Sequence, residues 1–361
     1  MASINKINTK SGPRWRVRWR DDKGERSRSF DRQRLAKDFL ISLEHKQREG
    51  TYVEPTTVTL KSYLETWIES YKDSIASNTE RGYRVNIRHI CSVIGDKSLQ
   101  RLIPGDIEAA YRELGKKLSG TSVLYVHRTL SRALKQAEKQ RLITRNPCDI
   151  VEVPRKNKNF QARFVAPEDI AKYVGAFKDH YLYPAVCLAA FCGLRRGEVL
   201  GLQWKDIDWK KGMITIKHGM TDDGLTTPKS GEARSVPLSE AVAEILKEQR
   251  KKQRQYKERF WDEYHRSDFV TTYHDGTLIK PRALSKAFAD TLKKAGLGHI
   301  RFHDLRHTAA SLMLHEGVDL KTISDILGHS SISITADIYS HVIEEQKKSA
   351  AKKLDKYINK F

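Results

Sequence analysis

The sequence predicts a multidomain, mainly α-helical chain. It reads as a small amino-terminal β-sheet with one helix, a helical bundle in the middle, and an α+β domain in the second half. Three observations predict this. Residues 15–20 alternate strictly between apolar and basic side chains. Residues 59–147 carry helical periodicity interrupted at Gly95, Gly115 and Gly120. From Phe164 onward, helical segments mix with two short strand-like runs. A chain of 361 residues is long enough for two or three separate cores.

In order along the chain, the alternation puts Trp15, Val17 and Trp19 on one face of a strand and Arg16, Arg18 and Arg20 on the other, with Arg14 just before them. Asp22-Lys23-Gly24 marks a hairpin turn, and Glu25 to Phe30 is the returning strand. Asp31 is placed to cap a helix running to about Gly50, with Leu35, Phe39 and Leu43 on its inner face. Glu54-Pro55-Thr56-Thr57 reads as a linker. Helices are expected near 59–72, 77–94, 104–117 and 119–141, with Thr59 and Ser77 as N-caps. A second linker, Pro154 to Asn159, holds Arg155, Lys156 and Lys158 and suits a phosphate backbone. Beyond it, 167–177 and 184–200 read as helices, 213–217 and 234–238 as strands, and 239–265 as a long charged helix. Further helices are expected near 284–295, 304–316, 320–327 and 332–339, with a basic amphipathic helix at 343–361.

The formal net charge is +21, and the stretches 1–55, 56–159 and 160–361 are each separately basic. A basic tail on a neutral enzyme does not give that pattern. A long polyanion touched by every part of the chain does, and double-stranded DNA is the natural partner. No apolar run approaches the ~20 residues of a membrane span, and Met1 to Lys6 leads into no apolar signal core, so a cytoplasmic protein is expected. Cys91, Cys148, Cys187 and Cys192 lack metal-ligand spacing and are too few for a disulfide framework.

The chemistry-bearing residues are Arg195, in Gly193-Leu194-Arg195-Arg196-Gly197-Glu198, then His303-Asp304-Leu305-Arg306-His307, Leu327-Gly328-His329, and Tyr339. Guanidiniums bind the non-bridging oxygens of a phosphodiester and gather the charge of its transition state. A phenol is the one oxygen nucleophile of this set able to bond to phosphorus. His303 and Arg306, three apart at a helix start, face the same way, and Gly328 fits the left-handed position after a helix. His303 and His307 also have zinc-ligand spacing, but the metallopeptidase pattern needs Glu where Asp304 stands. Asp206, Asp208 and Glu198 form a possible carboxylate cluster for a metal-dependent nuclease or strand transferase. A non-catalytic DNA-binding regulator is the other alternative.

These boxes, together with Tyr339-Ser340-His341-Val342, resemble those of the tyrosine recombinase family, phage and mobile-element integrases in particular, over about 160–345. The resemblance implies an arm-type DNA-binding domain at 1–55, a core-type DNA-binding domain at 56–153 and a catalytic domain with a C-terminal helix at 160–361. It implies catalytic roles for Arg195, Lys229, His303, Arg306 and His329, with Tyr339 as the nucleophile. Lys229 matches only through the form of the hairpin Thr227 to Leu238. The implied reaction integrates and excises a phage or mobile element through a 3′-phosphotyrosyl intermediate and a Holliday junction, without metal or cofactor. It proceeds in a homotetramer on core-type and arm-type sites, with a directionality factor and a host DNA-bending protein as further expected partners.

Overall fold

The computed structural model describes residues 2–9, 12–21, 24–48, 52–155, 165–226 and 233–329, with 331, 332 and 336. The expected sites Lys156, Lys158, Lys229 and Tyr339 lie outside these residues. So do the helix expected at 343–361 and most of that at 332–339. The chain divides into two compact units, 1–159 and 160–361. It is the multidomain, mainly α-helical architecture that the sequence predicts, with small sheets in both units.

The first unit opens with an antiparallel sheet of β1 (Ser3–Thr9), β2 (Gly12–Asp21) and β3 (Gly24–Phe30), with β2 in the middle. β1 is absent from the sequence reading, because its isolated Ile4 and Ile7 do not alternate. Val17 and Trp19 are buried against α1 (Gln33–Arg48). Leu35, expected on the inner face of α1, is 47% exposed, and Ala36 takes its place in the core. The four arginines keep to the other face of β2, opposite Ser3, Asn5 and Ile7 on one side and Glu25, Ser27 and Ser29 on the other.

Residues 52–58 have no regular structure but are held. Trp19 donates its indole N–H to Tyr52 (2.9 Å), and Gln100 donates to the Glu54 carbonyl (2.6 Å) and accepts from the Thr56 N–H (3.0 Å). A bundle follows, of α2 (Leu60–Tyr71), α3 (Ser77–Ile94), α4 (Pro104–Gly115) and α5 (Gly120–Lys139). Thr59 caps α2 through the Ser62 N–H. Ser77 instead begins α3, whose cap is Ala76 with no side-chain bond. The core is made by one apolar stripe from each helix, Leu64, Ile90, Ile107, Leu130 and Leu134 among them.

The second unit holds α6 (Ile170–Gly175), α7 (Tyr183–Phe191), α8 (Arg196–Gly201), β4 (Ile207–Asp208), β5 (Met213–Ile216), β6 (Gly219–Thr221), β7 (Gly224–Thr226) and β8 (Arg234–Pro237). Then come α9 (Glu240–Phe260), α10 (Pro281–Lys294), α11 (Asp304–His315) and α12 (Leu320–Leu327). β4, β5 and β8 form one antiparallel sheet, and β6 with β7 a separate hairpin. The expected single helix 184–200 is two helices, because the chain turns at Gly193. The long helix stops at Phe260, where Trp261 has a positive φ of 47°. α7 is buried around nearly its whole circumference, and in the same core Phe177 lies flat on Phe288, which in turn meets Phe302 edge-on to extend the stack. Among the described residues, no helix is long and apolar enough to cross a membrane.

Phe288 is 1% exposed and is the middle ring of that stack. Phe288→Ala is therefore expected to lower unfolding free energy by about 3–5 kcal/mol, measured as a reduced denaturant midpoint with unchanged slope.

Candidate active site

Arg195 owes its position to the turn that splits α7 from α8. Cys192 and Leu194 both donate their N–H to the Leu188 carbonyl, and Gly193 takes φ +67°. Glycine is required there twice over, since a Cβ would also lie 2.6 Å from Leu327 Cδ2. Arg195 thus stands at the start of α8 with its side chain freed from the α7 surface. Its backbone N–H donates to Glu198 Oε2 (2.8 Å), its Nη1 to Glu198 Oε1 (2.8 Å) and its Nη2 to the Gly328 carbonyl (2.6 Å).

Glu198 is shared. Arg234, the first residue of β8, donates Nη1 to Oε1 (2.8 Å), Nη2 to Oε2 (2.6 Å) and Nε to the Ile326 carbonyl (3.0 Å). The Arg234 stem runs directly under Gly328, where a Cβ would meet its Cδ at 2.8 Å. Burial pushes the Glu198 carboxyl up. The two-point hydrogen bond and charge of Arg234, with the N–H and charge of Arg195, outweigh that and bring it down to about 2.

α11 supplies the second half of the site. Asp304, fully buried in its first turn, accepts from the Arg301 backbone N–H (2.8 Å) and from Nη2 of the same residue (2.6 Å). That clamp fixes the helix start, where His303 is the cap residue. One turn on, Arg306 is 2% exposed and donates Nη1 to the Gly193 carbonyl (2.6 Å) and Nη2 to the Leu327 carbonyl. Arg195 and Arg306 therefore bind the carbonyls of consecutive residues, Gly328 and Leu327. The next residue is His329. Gly328 adopts the left-handed conformation (φ 63°, ψ 52°) that ends α12 and turns His329 back towards the arginines.

The structure thus brings Arg195, His303, Arg306 and His329 into one cationic pocket. Desolvation, then the charges of Arg306 and Arg195, push His329 down to about 4. Desolvation, then Arg306 and Arg301, lower His303 as well. In the free protein both rings favour the neutral form, because burial, and after it the charge of the arginines, disfavours protonation.

Two residues that shape the pocket, Arg234 and Arg301, have no role in the sequence reading, and a third, His307, enters it only through its zinc-ligand spacing to His303. Arg234 is separated from Glu198 by 36 residues, and no local pattern links them. Arg301 sits three before Asp304, a spacing that hints at the clamp. His307 is buried, its ring edge-on to His303 with centroids 5.1 Å apart, and desolvation with the neighbouring His303 pushes it to about 4. Glu198, Asp206 and Asp208 do not gather as a carboxylate cluster. Glu198 binds the two arginines, Asp206 pairs with Lys217 (3.3 Å), and Asp208 accepts from the Lys210 and Lys211 N–H groups. In the first unit Arg14, Arg18 and Arg20 are exposed, and Arg16 is half-buried. Arg155, also exposed, lies 3.5 Å from Glu152.

Guanidiniums fixed on backbone carbonyls beside imidazoles have the chemistry that suits an anionic phosphate group. Residues 163–346 match the phage integrase family, and residues 59–115 match the phage integrase N-terminal SAM-like domain. A tyrosine recombinase XerC-like protein of Caldanaerobacter subterraneus is 30% identical over 336 residues, covering 85% of each chain. The ICEBs1 integrase of Bacillus subtilis is 29% identical over 331 residues, covering 89% of this chain and 87% of that protein. The Tn1549 transposon integrase in complex with transposon right end DNA shares the fold, with TM-score 0.70, 20% identity, and coverage of 82% of this chain and 100% of that one. A λ integrase tetramer bound to a Holliday junction does so too, with TM-score 0.65, 19% identity, and coverage of 92% and 94%. The chain belongs to the phage integrase family of tyrosine recombinases. It is a site-specific DNA recombinase, an enzyme that cuts and rejoins DNA.

Two outcomes follow from the pocket. Glu198→Ala leaves a mostly buried Arg234 without its counter-charge and is expected to cost about 3–5 kcal/mol of stability, read by chemical denaturation. The His329 imidazole titrates near 4 in the folded chain and near 6.5 unfolded, so the unfolded chain binds more protons between these values. Stability is expected to be complete above about pH 6.5 and to fall as pH drops towards 4. His329→Gln should make that slope shallower by about one proton, leaving the share due to His303 and His307. An unchanged slope in the variant would show that this imidazole is not the group held neutral.

Proposed function

We propose that Tyr339 is the nucleophile and that its phenol oxygen attacks the scissile phosphate in the pocket of Arg195, His303, Arg306 and His329. The bond to the 5′-oxygen breaks, leaving a 3′-phosphotyrosyl link and a free 5′-hydroxyl. The convergence of the two arginines on the Leu327 and Gly328 carbonyls carries this reading. It fixes two guanidiniums on carbonyls that stand twelve and eleven residues before Tyr339 in the chain. A phenol of pKa about 10 is ionised in only about one molecule in a thousand near pH 7, a deficit of roughly 4 kcal/mol. The fixed cations favour the phenolate and the phosphorane-like transition state together. Neutral His303 is able to take the phenolic proton, and neutral His329 donates an N–H to a phosphate oxygen. Lys229 protonates the departing 5′-oxygen. Attack by the 5′-hydroxyl of a partner strand then reverses the step, so the bond energy is kept in the phosphotyrosine.

The same reading gives the domains their tasks. The sheet of the first unit presents Arg14, Arg16, Arg18 and Arg20 among small polar residues, a surface suited to a DNA groove and its phosphates. We assign residues 1–55 to arm-type sites and 56–153 to core-type sites, with Arg155, Lys156 and Lys158 along the backbone between bundle and catalytic domain. Residues 160–361 then form the catalytic domain. Four protomers acting on two duplexes would integrate and excise a mobile element, with a directionality factor and a host DNA-bending protein as partners, in the bacterial cytoplasm. Relatives solved as a tetramer on a Holliday junction and on transposon end DNA support this assembly.

Tyr339→Phe is expected to abolish the covalent protein–DNA adduct on a nicked substrate while leaving gel-shift binding intact. An adduct that survives the change removes Tyr339 from the mechanism. Arg306→Ala should slow adduct formation by about a hundred- to a thousand-fold. Arg18→Ala should weaken arm-site binding almost equally across sequences and lower the salt dependence by about one ion. A sequence-selective loss would mean that this arginine reads bases instead.

A further inference from the structure

We propose that Arg234 is a positioning residue for strand cleavage. Its guanidinium and stem join Glu198 to the Ile326–Gly328 turn and thereby set the geometry of Arg195 and His329. The inference rests on the recombinase mechanism above and extends it to a residue that touches no reacting atom.

The argument is a closed ring of contacts. Arg234 grips both oxygens of Glu198 (2.8 and 2.6 Å). Glu198 grips the Arg195 backbone N–H and Nη1 (2.8 Å each). Arg195 Nη2 holds the Gly328 carbonyl (2.6 Å). Arg234 Nε holds the Ile326 carbonyl (3.0 Å), and its Cδ, Nε and Cζ floor the space beneath Gly328, all within 3.2 Å of where a Cβ would be. Three elements distant in sequence meet here: β8, α8 and the end of α12.

Each link restrains something the reaction needs. Arg195 has its backbone N–H and one guanidinium nitrogen held by a carboxylate whose two oxygens Arg234 grips from the other side. His329 follows a left-handed residue whose underside is the Arg234 stem. A lysine in place of Arg234 keeps the charge but offers one point where the fork offers two, and it cannot serve Glu198 and Ile326 at once.

The test is single-turnover adduct formation on a duplex selected by covalent capture on the wild-type chain, with DNA affinity measured in parallel. Arg234→Ala should cut the rate per folded molecule by about a hundred-fold, with affinity nearly unchanged. Arg234→Lys should recover only a small part of the rate, and added guanidinium ion should recover more of it in Arg234→Ala than in Arg234→Lys. Glu198→Gln and Arg234→Ala combined should be no slower than the slower single variant, because both act through one linkage. If Arg234→Ala does not fold, the rate of Arg234→Lys decides. A rate within about twofold of wild type in either folded variant, or strictly additive losses in the double variant, overturns the positioning role. A wild-type chain that captures no duplex at all overturns the recombinase mechanism and the role that depends on it.

Discussion

One buried carboxylate holds the catalytic pocket together. Glu198 is 5% exposed and is bound by two arginines that belong to different elements. A buried ion pair is seldom a net gain over a well-packed apolar contact, but removing one partner is costly. Its value here is geometric. With Glu198 in place, Arg195 points at the end of α12, and the last carbonyls of that helix are bound by guanidiniums instead of water. A helix end normally leaves such carbonyls without intrahelical partners. In this fold that deficit is what fixes the phosphate-binding groups in position.

The same arrangement governs protonation. Three arginines, Arg195, Arg234 and Arg306, surround His329, and two, Arg301 and Arg306, lie nearest His303. A site crowded with permanent cations keeps its imidazoles neutral, so they accept or share protons while the arginines supply the charge. On the mechanism proposed above, an incoming phosphodiester, being an anion, would offset some of that field and favour protonation of both imidazoles. Substrate binding and proton affinity are therefore coupled through the arginines.

Much of the architecture was legible because it is local. Alternation reveals β2, capping reveals Thr59 before α2, and a glycine after an apolar helix reveals the left-handed turn at Gly328. The spacing of His303 and Arg306 reveals that they share a face. What escaped depends on distance in sequence or on what surrounds a group. The apolar run from Pro184 to Leu194 carries straight through Gly193, so the turn there is easily passed over, although the glycine itself is the signal that could have marked it. β1 has too few apolar residues to announce a strand and exists because β2 offers it an edge. Arg234 lies in a hairpin string that looks merely basic, and its partnership with Glu198 exists only in the folded chain. The neutrality of His329 likewise follows from neighbours that no local window contains.

If sheet and bundle each hold a DNA sequence, as proposed above, the pinned stretch between them would constrain how far apart those sequences can lie. Tyr52 is tied to Trp19 of the sheet, Glu54 to both Arg26 of the sheet and Gln100 of the bundle, and Thr56 again to Gln100. So short a tether, fastened at each end, leaves little play between the two halves of the first unit. They would behave as a stiff caliper, for which the separation and helical phase of the two sequences it spans matter as much as their letters. Inserting half a turn of duplex between them would then defeat simultaneous grip, whereas a slack leash would absorb it.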